Sequence, residues 1–496
     1  MTDSNRLRLT AIREATLGVT PSPTPRMRTA RILSETLAYS PTFVDSEELR
    51  DDRMNSDPIK VNETVGGAIQ FEFSYPVDNS VASEFLRSLA YNPWSNTPTR
   101  DNDGVADSAI TDVTASSDTY TVASGAAFAE GQLVRATGFG AAGNNGVFRA
   151  QSGSGATAVV APSSPGLADE AAPAAAARLK VVGFEGASGD ITALADGLGS
   201  TALDFTTLGI VPGMWVKIGG AADASTFAFL VSAGAQARSG AWARVVAVSA
   251  TKLTLDNLPS GWTTDSGTSK TIRVFFGDQI KNGVTRSSLT IEKGFMGQAV
   301  PTYVAMRGMV VGQGDFNITT EQKITGSFTL QGTTGSQDTT SLDATPDAAP
   351  GNPIMAANVN VGRIAESGVA MSAPNWVRSL TISINNNLRA ITAADSMGSV
   401  DIGAGEVAVT GTLETYFGSN ALYAKLLAGT VGNINSRVVK DAQAVIFAVP
   451  RATFTGGNPS AGGKNQDVML PMEFRASKDT LTAAHFIIDR LEYVEA

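Results

Sequence analysis

The sequence contains no cysteine and a single histidine, His485. Without thiols there is no disulfide framework and no thiolate zinc site. With no cysteine partner and no second histidine, one chain supplies neither a nucleophile–base pair of that kind nor a His-based metal site. Aromatic residues are scarce, at 7%. Positive charge is in deficit, 37 basic against 47 acidic residues for a net charge of −10. That balance excludes a tight DNA binder working by counterion release. It leaves open a surface that DNA passes without sticking. No apolar run approaches the ~18 residues of a membrane-spanning helix. The opening segment Met1–Arg6 lacks the apolar stretch of a secretory signal. We therefore expect a soluble protein, with no membrane partner, made in or tolerant of a reducing compartment.

Hydrophobic residues make up 43% of the 496, enough for cores, and 50 glycines with abundant Thr, Ser, Val and Ala point to short strands and turns. The length suits about three domains. The organising feature is an internal repeat. Val409–Phe417 runs into Gly418–Ala428 as Val65–Phe73 runs into Asp78–Leu89. Each copy is a strand of period-2 alternation followed by a short helix. Val81, Phe85 and Leu89 share one helical face, as do Leu422 and Leu426, beside Tyr423 and Leu427. Asp78, Asn79 and Ser80, and Ser419 and Asn420, offer N-cap oxygens. Upstream, Arg31–Tyr39 and Val377–Ile384 read as matching strands. The chain thus reads as a tandem duplication of a β-rich domain with a large insertion in the first copy.

The expected division is an extended N-terminal arm over 1–27, a first domain split between 28–106 and 276–345, β-modules at 107–185 and 186–275, and a second domain over 346–496. Residues 45–64 read as a long charged loop carrying Glu47, Glu48, Arg50, Asp51, Asp52 and Arg53; a loop of that length is functional or disordered. Each inserted module reads as a few hairpins curled into a partial barrel, with Asn145-Gly146 as a hairpin turn signal.

Chemical motifs are weak. Gly138–Gly143 matches a dinucleotide fingerprint literally, but a strand follows it rather than a helix. Asp101, Asp103, Asp107 and Asp112 have some calcium-loop spacing, but Ala106 stands where that motif requires glycine, and an acidic linker is the simpler reading. His485 lies in a closing strand and reads as structural. The strand Glu406–Thr415 places Glu406, Thr410, Thr412 and Glu414 on one face and Val407, Val409 and Leu413 on the other. On a monomer the polar face is solvent-exposed surface; in a ring it would line an aqueous channel.

Several stretches resemble the major tail tube proteins of long-tailed bacteriophages, in the form with two tandem tube domains. They are Arg13–Pro21, the loop Ser46–Arg53 ahead of Gly66–Phe73, and Leu380–Leu388 followed by Val409–Leu413. The resemblance covers about 10–100 and 285–496 and does not extend to the insertion. It implies a mainly β chain: two tandem β-sandwich or barrel domains, each with a flanking helix, beside the two small inserted β-modules. It also implies a structural, non-enzymatic virion protein without cofactor, made in the bacterial cytoplasm and placed in the tail. Its sheets would join those of neighbouring copies into stacked rings, trimeric with pseudo-sixfold symmetry, or six chains per ring. The 45–64 loop would reach an adjacent domain or ring. Partners would be copies of itself, tape-measure, tail-terminator and distal tail proteins, and genomic DNA in transit without specific binding. A competing reading is a surface adhesin of tandem β-modules using Trp215 and Trp242 as glycan platforms; a carboxylate hydrolase has no motif behind it.

Overall fold

The computed structural model describes the chain except residues 1–3, 23–25, 52–53, 103–108, 124, 126, 162–165, 223–224, 233–240 and 494–496. Asp52, Arg53, Asp103 and Asp107 therefore lie outside the described residues. The fold is mainly β, and the duplication is legible strand by strand. The first half contains β1 (Leu7–Arg13), β2 (Ala38–Val44), β3 (Ile59–Glu72), α1 (Val81–Ala90), β4 (Leu289–Phe295), β5 (Thr302–Thr319) and β6 (Thr325–Gln331). The second repeats the series as β7 (Val361–Glu366), β8 (Val377–Asn385), β9 (Ala408–Tyr416), α2 (Ala421–Leu427), β10 (Val431–Lys440), β11 (Gln443–Gly456) and β12 (Val468–Ala476), and closes with β13 (Ile487–Glu492).

The pairings repeat too. In each half the strand before the helix pairs with the strand preceding it and with the last of the series: β2–β3–β6 and β8–β9–β12. The long strands β5 and β11 then bridge two layers. One end of each joins this sheet beside β6 or β12, and the other joins β4 or β10, which pairs onward to β1 or β7. The halves are fused along their backbones, since β5 pairs antiparallel with β8 from Gln313–Asn385 to Thr319–Ser379. One sheet therefore runs β2–β3–β6–β5–β8–β9–β12–β11 across the repeat boundary. Beneath it lies one shared core, in which Phe447 of the second half stands 5.4 Å from Phe73 and 5.0 Å from Phe316 of the first, ring centre to ring centre.

α1 forms where expected. The Oγ of Ser80 accepts from the backbone N–H of Ser83 at 3.2 Å, and Tyr91 ends the helix in the left-handed conformation. Its apolar face, Val81, Phe85, Leu86 and Leu89, is buried. Leu89 lies against Gly314, where a Cβ would stand 2.4 Å from its Cδ2; only glycine lets the helix sit this close. The shorter α2 begins at Asn420 without a side-chain cap bond and buries only Leu422.

The N-terminus departs from the expected arm. β1 pairs with β4 from Leu7–Phe295 to Arg13–Leu289, and Leu9 and Ala11 are in the core. It is the counterpart of β7. The alternation of Leu7, Leu9 and Ala11 carried the signal, which the nearby prolines obscured. The charged loop is also shorter than expected. β3 begins at Ile59, and Val44 pairs with Ile59, so the loop spans 45–58 at the tip of a long hairpin.

The insertion occupies the connection from α1 to β4, a link that takes only residues 428–430 between α2 and β10. Its two parts share one strand. Arg178–Glu185 pairs with Gln132–Thr137 on one side and Ile272–Phe275 on the other, uniting both parts in one sheet over one core. Trp215 and Trp242 are 3% and 1% exposed and pack with Phe275 against Ala444, Ile446 and Leu491 of β11 and β13. They join the insertion to the second half and offer no glycan platform, which removes the residues on which the adhesin reading rested. A buried ion cluster completes the joint. Lys180 of the insertion reaches Asp278 at 2.5 Å and Asp78 at 2.8 Å, while Arg490 of β13 reaches Asp278 at 2.9 Å and also pairs with Asp78.

Candidate channel face and assembly edges

The continuous sheet has one apolar and one polar face because every strand in it alternates. Along β5, Phe316 and Ile318 are buried while Gln313, Asp315, Asn317 and Thr319 point the other way. β6 contributes Ser327 and Thr329, β8 contributes Thr381 and Ser383, β9 contributes Thr410, Thr412 and Glu414, and β12 contributes Glu473 and Arg475. The face is rich in hydroxyls and amides, with carboxylates in excess of cations.

Its middle is ordered by side-chain bonds. Asp315 accepts from Ser383 Oγ at 2.6 Å, Ser327 Oγ at 3.2 Å and Gln313 Nε2 at 3.0 Å. These bonds cross the repeat boundary, since Ser327 and Gln313 belong to the first half and Ser383 to the second. Glu414 accepts from Ser379 Oγ at 3.3 Å, with Arg378 at 3.9 Å. Such bonds hold the carboxylates in place without neutralising the face.

Of the residues expected on this face, Thr410, Thr412 and Glu414 lie on it. Glu406 does not: β9 begins at Ala408, and Glu406 is in the preceding turn, where its carbonyl accepts from Asn387 Nδ2. Asp315 and Glu473 escaped the sequence reading, although Gln313-Gly-Asp-Phe-Asn-Ile-Thr319 shows the same period-2 alternation.

The sheet ends in two edges. One is β2 with the short strand Ser34–Glu35, which among the described residues pair only with β3. The other is the outer side of β11 beyond Thr453, the last β11 residue in register with β10. Edges with free N–H and C=O groups are templates for pairing with another chain. Beyond the β2 edge the hairpin projects. Glu47, Glu48, Arg50 and Asp51 are exposed near its tip, as are Phe43, Val44, Leu49, Met54, Ile59 and Val61 along its length. Lys60 and Tyr39 donate to Glu63 and hold its carboxyl below the usual range.

The second half's counterpart of this hairpin is docked, and on the first half. Residues 386–403 fold over the start of the β5–β8 seam. Asn386 donates from its backbone N–H to Gly312 O at 2.8 Å and from Nδ2 to Leu89 O at 2.9 Å. Ile402 is buried with Tyr91 and Val310, and Arg286 clasps Asp401, whose carboxyl it lowers together with the Ile402 N–H.

No curated protein matches the chain. The family described as phage tail tube protein matches it over residues 4–268 and again over 245–476. Together those spans take in the duplicated halves, the fused sheet and the insertion. The chain belongs to the phage tail tube protein family, a structural component of the virion tail that assembles with itself into a tube.

Proposed function

We propose that copies of this chain close into rings whose inner wall is the polar face, and that the stacked rings conduct the genome during ejection. The observation that carries this reading is the β5–β8 seam. It joins the last-paired strand of one half to the first of the next, and among the described residues β2 at one edge, and the end of β11 with Ser460–Ala461 at the other, hold the corresponding places and pair only inward. Repeating the seam between chains closes the sheet and removes both edges. Each chain brings eight strands. Three chains would give a pseudo-sixfold barrel of 24 strands, which at ~4.8 Å spacing and ~40° tilt is about 50 Å across at the backbone. That leaves room for a DNA duplex and its water.

Passage is then passive. Carboxylates on the wall repel phosphates over a Debye length, ~8–10 Å at physiological salt, and hydroxyls and amides keep the wall wet. The insertion leaves from the end of α1, on the apolar side of the sheet, and is clamped to β11 and β13. This supports its placement outside the channel. Tape-measure, terminator and distal tail proteins are the partners this reading implies. End-on electron microscopy of self-assembled protein tests it. Hollow rings with three outer knobs and a near-sixfold wall are expected; protein that stays monomeric under assembling conditions would overturn it.

A further inference from the structure

The internal repeat lets the contact between chains be located, because the chain already contains one worked copy of it. At the seam inside the chain, two things happen together. β8 pairs with the far end of β5, and the segment just after β8 folds over the residues just before that pairing. Asn386 binds Gly312, and Leu388 covers it so closely that a Cβ at position 312 would stand 3.0 Å from the leucine Cδ1.

The corresponding place in the second half follows from the bulges. β4 and β5 are in register at Leu289–Met309 just before a bulge, as β10 and β11 are at Gly432–Ala452. Val311 pairs with Leu330 just before the next bulge, as Phe454 pairs with Phe474. Val310 and Gly312 therefore correspond to Thr453 and Thr455. In the first half this place is filled by residues 386–403. In the second half it is a cavity of about 380 Å³ lined by Glu406, Thr453, Thr455, Arg475, Lys478 and His485. Beside it, the Nδ1 of His485 is buried with no hydrogen-bond partner among the described residues.

The occupant follows from the same correspondence. Ser383 lies opposite Thr410 as Ala38 lies opposite Gly66, so the segment after β8 corresponds to the segment from Pro41 onward, and Leu388 to Phe43. Phe43 and Val44 are 54% and 52% exposed, and an acidic run, Asp45 with Glu47 and Glu48, follows them. The cavity supplies Arg475 and Lys478 opposite that run. Resting on the ring-forming reading above, we infer that this cavity receives the Phe43 hairpin of a second copy of the chain. Phe43 seats over Thr455, and the acidic tip meets Arg475, Lys478 and His485. The repeat correspondence, the vacant shape and the excess of cations over carboxylate in the lining point to the same occupant.

The absence of cysteine makes the test clean. Full-length Phe43→Cys chains and Thr455→Cys chains are assembled as a mixture, treated with a short bis-maleimide, and examined both on a denaturing gel and end-on by electron microscopy. Both positions are exposed, so neither change touches the core. The expected result is rings together with a covalent dimer that forms in the mixture and in neither variant alone. Rings without the dimer would overturn the docking site and leave the tube reading standing. Wild-type chain that forms no rings would overturn both.

Discussion

Arg490 lies with its guanidinium 4.0 Å over the ring of Trp94 and donates from Nε to the fully buried carboxylate of Asp278 at 2.9 Å. The pair ties the closing strand to the point where the insertion returns to the first half, with Lys180 of the insertion as third member. Burial alone would raise the pKa of Asp278. Lys180 and Arg490 outweigh that and hold it down at about 2.

Replacing Asp278 by Asn leaves Lys180 and Arg490 facing Asp78 alone in a buried site. Breaking a buried pair from one side costs about 3–5 kcal/mol. A loss of that size in denaturant midpoint, at unchanged slope, is expected. Because the folded pKa lies below the unfolded one, the wild-type contribution is present above about pH 4 and is lost as pH falls towards 2. The difference between variant and wild type should narrow over that range.

Asp489 behaves in the opposite sense. Burial raises its carboxyl to about 8, although Gln279 Nε2 donates to it at 3.0 Å and Arg244 opposes the rise; its second oxygen has no partner among the described residues. A folded pKa above the unfolded one means the contribution to stability is full below pH 4 and is lost as pH rises towards 8. Asp489→Asn should therefore raise the melting temperature at pH 8 relative to wild type and give little or no gain at pH 4. Thermal scans at the two pH values distinguish these outcomes.

Trp242 shares the joint between insertion and second half with Trp215, and Arg437 stacks on it at 4.7 Å. Trp242→Ala should cost about 3–5 kcal/mol and loosen that joint first. Limited proteolysis should then cut near residues 92–102 or 276–288 faster than in wild type. Unchanged cleavage would show that the ion cluster alone holds the insertion in place.

On the polar face, Asp315→Asn, Glu414→Gln and Glu473→Gln together keep the size of the side chains, replace one acceptor oxygen of each by a donor, and remove three charges. Tubes should assemble normally. Ejection into low-salt buffer should slow several-fold, with the deficit shrinking as salt screens the wild-type wall. Unaltered ejection kinetics would remove repulsion from the mechanism.

The sequence by itself determined the duplication, the strand alternation that gives β9 its polar face, and the capped helix α1, because these follow from local periods of 2 and 3.6 residues. It also carried the family resemblance. Thr410, Thr412 and Glu414 were legible for this reason. Tertiary structure alone decided the rest. Which strand pairs across the repeat boundary depends on contacts far apart in the chain, and no local period encodes it; Ser327 and Ser383 meet at Asp315 only because β5 lies between β6 and β8. The burial of Trp215 and Trp242 arises in the same way, since an alternating strand shows that one face is covered but not what covers it. The seam, the vacant second cavity and the clamp on the insertion are all products of that long-range pairing.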